Sequence, residues 1–121
     1  MMEIDKYGNK VWRNEKGELH RLDGPAYIIS DGSQEWYTNG KLHRLDGPAF
    51  IYSGGIQSWW VNGKRHRLDG PACIRVDGFQ AWCVNDRQIP DEVIIQWLES
   101  QGNPSIPFDR EMQLLFEMKF S

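Results

Sequence analysis

Three histidines at a fixed interval are the first residues in this chain that invite chemistry. His20, His43 and His66 each open the heptad His-Arg-Leu-Asp-Gly-Pro-Ala, copied three times without change at a period of 23 residues. Imidazole, guanidinium and carboxylate in one short segment are the groups of a metal site, an acid–base pair or a charged binding edge. Distance argues against one shared zinc ion. Strands lie about 4.8 Å apart, so equivalent atoms of neighbouring two-strand units are roughly 9 to 10 Å apart, whereas ligands at about 2.0 to 2.1 Å from one zinc sit within roughly 3 to 4 Å of each other. A nucleophile, base and orienter are three unlike residues that converge once, while a heptad repeated in phase is what a scaffold contains. No Ser-His-Asp set, Gly-rich phosphate loop, HExxH or CxxC pattern is present. The expectation is therefore no catalytic residue, no metal and no cofactor. Each His is expected to satisfy backbone groups, and Arg21/Asp23, Arg44/Asp46 and Arg67/Asp69 to pair charges, in the loop joining two hairpins. The other reading is a basic ladder along one edge for an acidic partner, nearly cancelled by one Asp per Arg. Cys73 and Cys83 stand ten apart. They read as small apolar thiols in a reducing compartment, with a disulfide as the alternative.

The elements that position these groups follow from a second series in phase with the first. A Gly precedes a Trp by four residues at Gly32 and Trp36, Gly55 and Trp59, and Gly78 and Trp82. Gly8 and Trp12 repeat the spacing 24 residues upstream, in a variant first unit. Each unit reads as a hairpin of two strands: Pro-Ala-x-Ile leads to a Gly turn, and Gln-x-Trp-x-x-Asn follows. Asp31-Gly32, Gly54-Gly55 and Asp77-Gly78 supply positive φ at the hairpin turn, and Asn39-Gly40 and Asn62-Gly63 mark the next one. Pro25, Pro48 and Pro71 open strands, where a missing amide hydrogen is tolerated. Two registers are open. A three-residue loop sets Ile28 opposite Trp36, Ile51 opposite Trp59 and Ile74 opposite Trp82, and places Tyr27/Tyr37, Phe50/Trp60 and Cys73/Cys83 on a variable face. This register is favoured because it separates repeated from changing residues. A two-residue Asp-Gly turn instead pairs Tyr27 with Trp36. In both, one Trp per hairpin fills the interior, at roughly 1.5 to 3 kcal/mol or more for each large side chain buried.

Composition divides the 121 residues into an array, 1–89, and a tail, 90–121. The array has units near 8–19, 20–42, 43–65 and 66–89. It carries 12 basic and 11 acidic side chains, and the tail 2 and 6. Pro90-Asp91-Glu92 starts a helix with Ile94, Trp97 and Leu98 inward before Gly102. Residues 103–107 form a linker. Asp109 to Lys119 reads as a second helix with Met112, Leu115 and Phe116 inward, although Leu114, Phe116, Met118 and Phe120 also alternate as in a strand. The fold class is thus mainly β with a C-terminal α part: a twisted sheet of about seven or eight strands from repeated antiparallel hairpins, closed by an acidic, mostly helical cap. The longest apolar runs are far short of the roughly 18 to 20 residues of a membrane helix, and the start lacks a secretory signal, so no membrane partner and a cytoplasmic location are expected. A net charge of −3 argues against duplex nucleic acid by bulk electrostatics.

The unit Trp-x-x-Asn-Gly-Lys-x-His-Arg-Leu-Asp-Gly-Pro-Ala-x-Ile resembles the HRxDGPA class of repeats found in uncharacterised bacteriophage, giant-virus and bacterial proteins. It is similar to MORN repeats, which have a related period and form successive antiparallel hairpins. The likeness covers roughly residues 8–89 and departs from MORN in having His-Arg-Leu-Asp-Gly where a His-Gly-x-Gly stretch would stand. It implies a non-enzymatic, viral-type binding protein: in its finer form, a phage-encoded inhibitor of a host or defence protein, of the anti-CRISPR type for example, acting in host cytoplasm. From the residues themselves, the expected binding surface is Tyr27, Tyr37, Phe50, Tyr52 and Trp60 with Arg75 nearby. It is either covered by the tail or left as an exposed platform for a protein partner. Trp12, Trp36, Trp59, Trp82, the three His and Asp23, Asp46 and Asp69 are the structural repeat. Single-stranded nucleic acid stacked on the aromatic face is the alternative, with Arg13, Lys41, Lys64, Arg65 and Arg75 as cations. An assembly role, or a homodimer through a sheet edge or the cap, is the third reading.

Overall fold

In the computed structural model, which describes residues 2–121, the repeats fold as short antiparallel strands. β1 (Met2–Ile4) precedes the variant first unit, which supplies β2 (Lys10–Trp12). The next copy supplies β3 (Tyr27–Ile28), β4 (Gln34–Glu35), β5 (Tyr37–Thr38) and β6 (Lys41–Leu42). The following copy supplies β7 (Phe50–Ile51), β8 (Gln57–Ser58), β9 (Trp60–Val61) and β10 (Lys64–Arg65). β11 (Cys73–Ile74), β12 (Gln80–Val84) and β13 (Arg87–Ile89) end the array, and α1 (Asp91–Ser100) and α2 (Arg110–Phe120) follow. Nine strands join one sheet in the order β1-β2-β3-β4-β7-β8-β11-β12-β13, while β5–β6 and β9–β10 are separate two-stranded hairpins. The expected class, antiparallel β with a helical C-terminus, is the one that forms. The strand count is corrected: each of the two central units makes four short strands rather than two.

The side hairpins arise because the chain leaves the long sheet at the repeated Trp. Trp36 N–H donates to the Ala49 carbonyl at 2.7 Å, and the Trp36 carbonyl accepts from His43 N–H at 3.0 Å. Trp59 repeats both bonds with Ala72 and His66. Beyond the Trp, the strand pairs with its own return across a tight turn. Asn39 and Gly40, at φ 49° and 80°, and Asn62 and Gly63, at φ 51° and 78°, have the left-handed pair of a type I′ turn.

Both registers considered from sequence are corrected. Ile28 pairs with Gln34 and Tyr27 with Glu35, and the next unit repeats this as Ile51 with Gln57 and Phe50 with Ser58. The loop is three residues, but it starts one residue earlier than supposed. Ile29 N–H bonds the Ser33 carbonyl at 2.9 Å, and Gly32 takes the last, left-handed loop position at φ 94°. Val11, Tyr27, Glu35, Phe50, Ser58, Cys73 and Ala81 therefore line up across one face, and Lys10, Ile28, Gln34, Ile51, Gln57, Ile74 and Gln80 across the other. Cys73 lies opposite Ser58 and Ala81, and Cys83 opposite Gln88, so the thiols do not face each other; both are free.

The deep core sits at the end of the array. Trp82, Val84 and Ile89 pack with Ile94, Trp97, Phe108 and Phe116, flanked by Leu68, Leu98, Met112 and Phe120. Trp12, Trp36 and Trp59 are only half-buried, which corrects the expectation of an even stack of indoles. α1 follows Pro90, with Asp91 and Glu92 in its first turn, and buries Ile94 and Trp97 as expected. In α2 the Asp109 carboxylate accepts from Met112 N–H at 2.9 Å, an N-cap that fixes the helix over the rival strand. Its inward stripe runs Met112, Phe116, Phe120 at a spacing of four, which turns Leu115 outward, against expectation. No helix among the described residues is long and apolar enough to cross a membrane.

Candidate functional site

The heptad is explained residue by residue. His Nδ1 accepts the backbone N–H of the second turn: Asn39 to His20 at 2.9 Å, Asn62 to His43 at 3.0 Å and Asn85 to His66 at 3.0 Å. Burial pushes the His66 imidazole below its ordinary value, because the charged form is poorly solvated there. Arg lies over the indole of the preceding unit, its guanidinium carbon 4.0 Å from the ring centroid for Arg21 on Trp12, 4.0 Å for Arg44 on Trp36 and 3.9 Å for Arg67 on Trp59. Arg Nε also donates to the heptad Asp, at 2.9 Å in the first two copies and 2.6 Å in the third. Arg Nη1 reaches the Pro carbonyl at 3.2, 3.1 and 3.0 Å. The hydrogen bond from Arg21 holds the Asp23 carboxyl below the usual range, and Arg44 does the same to Asp46. Gly leaves room for this plate: a Cβ at Gly24 or Gly47 would stand 2.9 Å from the Arg Cζ. Ala26, Ala49 and Ala72 are fully buried.

The heptad His, Arg and Asp side chains thus make their hydrogen bonds and ion pairs in the loops between hairpins. Sequence reading missed that the Arg covers the preceding Trp. The signal was present in the constant eight-residue step from Trp36 to Arg44 and from Trp59 to Arg67.

The aromatic residues form a row on the sheet face that carries Glu35 and Ser58. The Tyr37 hydroxyl donates to Glu35 at 2.8 Å, and burial together with that bond pushes its ionisation well above the ordinary phenol range. Phe50 and Tyr52 pack with ring centroids 4.1 Å apart and planes tilted by 41°. Trp60 Nε1 donates to Ser58 Oγ at 2.7 Å, and Asn9 donates to the Tyr27 hydroxyl at 3.2 Å. These side chains are half-buried, Tyr52 the most open, and they are not part of the cap's core. Arg75 does not join them: it lies over Phe79 at 4.2 Å, beside Asp77, in the loop between β11 and β12. Arg65 is engaged with Asp86 at 3.0 Å, which raises its already high pKa. Burial pushes the Cys83 thiol up, away from thiolate chemistry. Among the described residues no three His, Cys, Asp or Glu side chains are gathered as metal ligands.

Two grooves lie between consecutive heptads. One, of about 490 Å³, has Leu45, Asp46 and Gly47 on one wall, Leu68 and Asp69 on the other, and Trp59 between them. The second, of about 790 Å³, repeats the arrangement with Leu22 and Asp23, Leu45 and Asp46, and Trp36. Comparison with protein-family models, with curated proteins and with solved structures gives no match to this chain.

Proposed function

We propose that the protein is a non-catalytic protein-binding module whose aromatic row docks on a partner. The observation that carries this reading is the pre-organised state of that row: Tyr27, Tyr37 and Trp60 are each held by a hydrogen bond to a neighbour, outside the core that the helices close. Rigid aromatic side chains with bonded polar tips lose little rotamer freedom on docking, which is why such residues dominate interface energetics. Repeated copies of one loop, with the Arg and Asp side chains and each His Nδ1 already paired, favour a scaffold over a reaction centre. The resemblance to HRxDGPA repeats supports the same class, and inhibition of a host or defence protein by a phage factor is its finer form.

Single-stranded nucleic acid has less support, since Glu35 stands within the row and Arg65 and Arg75 are engaged elsewhere. Affinity capture from cells with wild-type protein, Tyr52→Ala and Trp60→Ala tests the reading. One stoichiometric partner, lost from both variants and insensitive to salt, is the expected result. Retention by both variants would overturn the surface, and capture that fades steeply with salt would favour nucleic acid.

A further inference from the structure

Every residue of the heptad has a task within its own loop except the leucine. Leu22 and Leu45 are each 81% exposed, although the same residue type is repeated in all three copies. Leu68 alone is partly buried, packed against the core that includes Phe108, and the segment entering α2 runs along this third edge. There Phe108 N–H donates to the Asp69 carbonyl at 2.8 Å. Phe108 itself packs in the core that Leu68 flanks. The Ile106 methyl lies close over Gly70, 2.9 Å from where a Cβ would stand. The Asp69 side chain is accordingly 37% exposed, against 87% for Asp23 and Asp46. In the first two copies no backbone N–H among the described residues is bonded to the Asp23 or Asp46 carbonyl, and the atoms nearest to Gly24 and Gly47 are those of the Arg plate.

The geometry points to a second docking surface: the Leu22–Gly24 and Leu45–Gly47 edges, each opening on a groove, bind a partner-protein segment with an aliphatic residue and, two positions on, an aromatic one. The occupant's chemistry is read from Ile106 and Phe108, which show what the third edge accepts. A backbone N–H of the segment bonds the Asp carbonyl, its aromatic side chain covers the Leu, and its aliphatic side chain covers the Gly. The Arg21–Asp23 and Arg44–Asp46 pairs are internally neutralised, so the recognised segment is apolar rather than charged. The residues of this surface are not those of the aromatic row, although Arg21 N–H bonds the Tyr37 carbonyl and Arg44 N–H the Trp60 carbonyl, so the two surfaces are separated by readouts at Tyr27, Phe50 and Tyr52.

The test is a titration of full-length, isotopically labelled protein with a peptide of sequence 103–111, followed by amide shifts. Saturable shifts at Asp23, Gly24, Asp46 and Gly47 are expected. Affinity should fall at least about tenfold in the Leu22→Ser/Leu45→Ser double variant, the loss of apolar burial at each edge. These leucines are exposed, so the remainder of the variant's spectrum should be unchanged. The proposal is overturned if no saturable shift occurs, if binding survives the double variant, or if the shifts fall at Tyr27, Phe50 and Tyr52 instead. Concentration-dependent shifts of the same amides without peptide would make a second copy of this chain the occupant, and would also overturn it.

Discussion

The guanidinium of Arg44 covers Trp36, bonds Asp46 and the Pro48 carbonyl, and rests against Gly47. Arg44→Ala should destabilise the protein by about 1 to 3 kcal/mol in a denaturant melt, from loss of the stacking and of charge-assisted hydrogen bonds. Gly47→Ala acts on the same plate, since the new methyl group meets the flexible end of Arg44 and displaces it. The double variant should therefore cost less than the two single changes together; strict additivity would show that the guanidinium is not the shared element. His66 gives a pH dependence. Its folded pKa lies below the unfolded value of 6.5, so the unfolded chain binds more protons as the pH falls. The stabilisation is fully present above pH 6.5 and lost below it, toward the folded pKa. In His66→Gln, melts at pH 7.5 and 5.5 should differ less than in the parent, and an unchanged difference would assign the slope to other groups.

At the scale of elements, the end of the array shows how the units are joined. Ile89 and Pro90 stand where a fourth heptad would place His and Arg, so no guanidinium covers Trp82. Phe108 and Phe116 cover it instead, with centroids 5.7 and 5.6 Å from the indole. Phe116→Ala should cost about 3 to 5 kcal/mol, the range for emptying a fully buried aromatic site, readable as a lowered denaturation midpoint. Asp109→Ala should cost about 1 kcal/mol through the lost N-cap. The heptads, the Asn-Gly turns and both helices were legible in the sequence, because turn chemistry and spacing are local. The hairpin register was not: Asp-Gly gives positive φ at several places in a loop, and only the Ile29–Ser33 closure decides which. The side hairpins were hidden because Trp36 and Trp59 belong to an alternating pattern that does not show a change of pairing partner. Tyr27, Tyr37, Phe50, Tyr52 and Trp60 were singled out by residue type, but the cross-strand pairs that grouped them do not form. The open edge at Leu22 and Leu45 was not, since an apolar residue in a repeat reads as core until its exposure is seen.

Over the whole molecule, burial is deepest at the end of the array and least at β1. Met2 and Ile4 are exposed in β1, while Trp82, Cys83 and Val84 are buried in β12 beneath the helices. Hydrogen exchange should follow that gradient, with amides of residues 82–84 slowest and those of β1 and β2 fastest. Uniform protection along the array would mean that the units unfold only as one body. The Arg-on-Trp plate also has a bearing on length. Each guanidinium seals the ring before it, and the pair Phe108 and Phe116 seals whichever ring comes last, so neither terminus is built for a particular number of modules. Splicing in one further 23-residue copy between the second and third heptads should lengthen the sheet by one module while leaving both ends as they are.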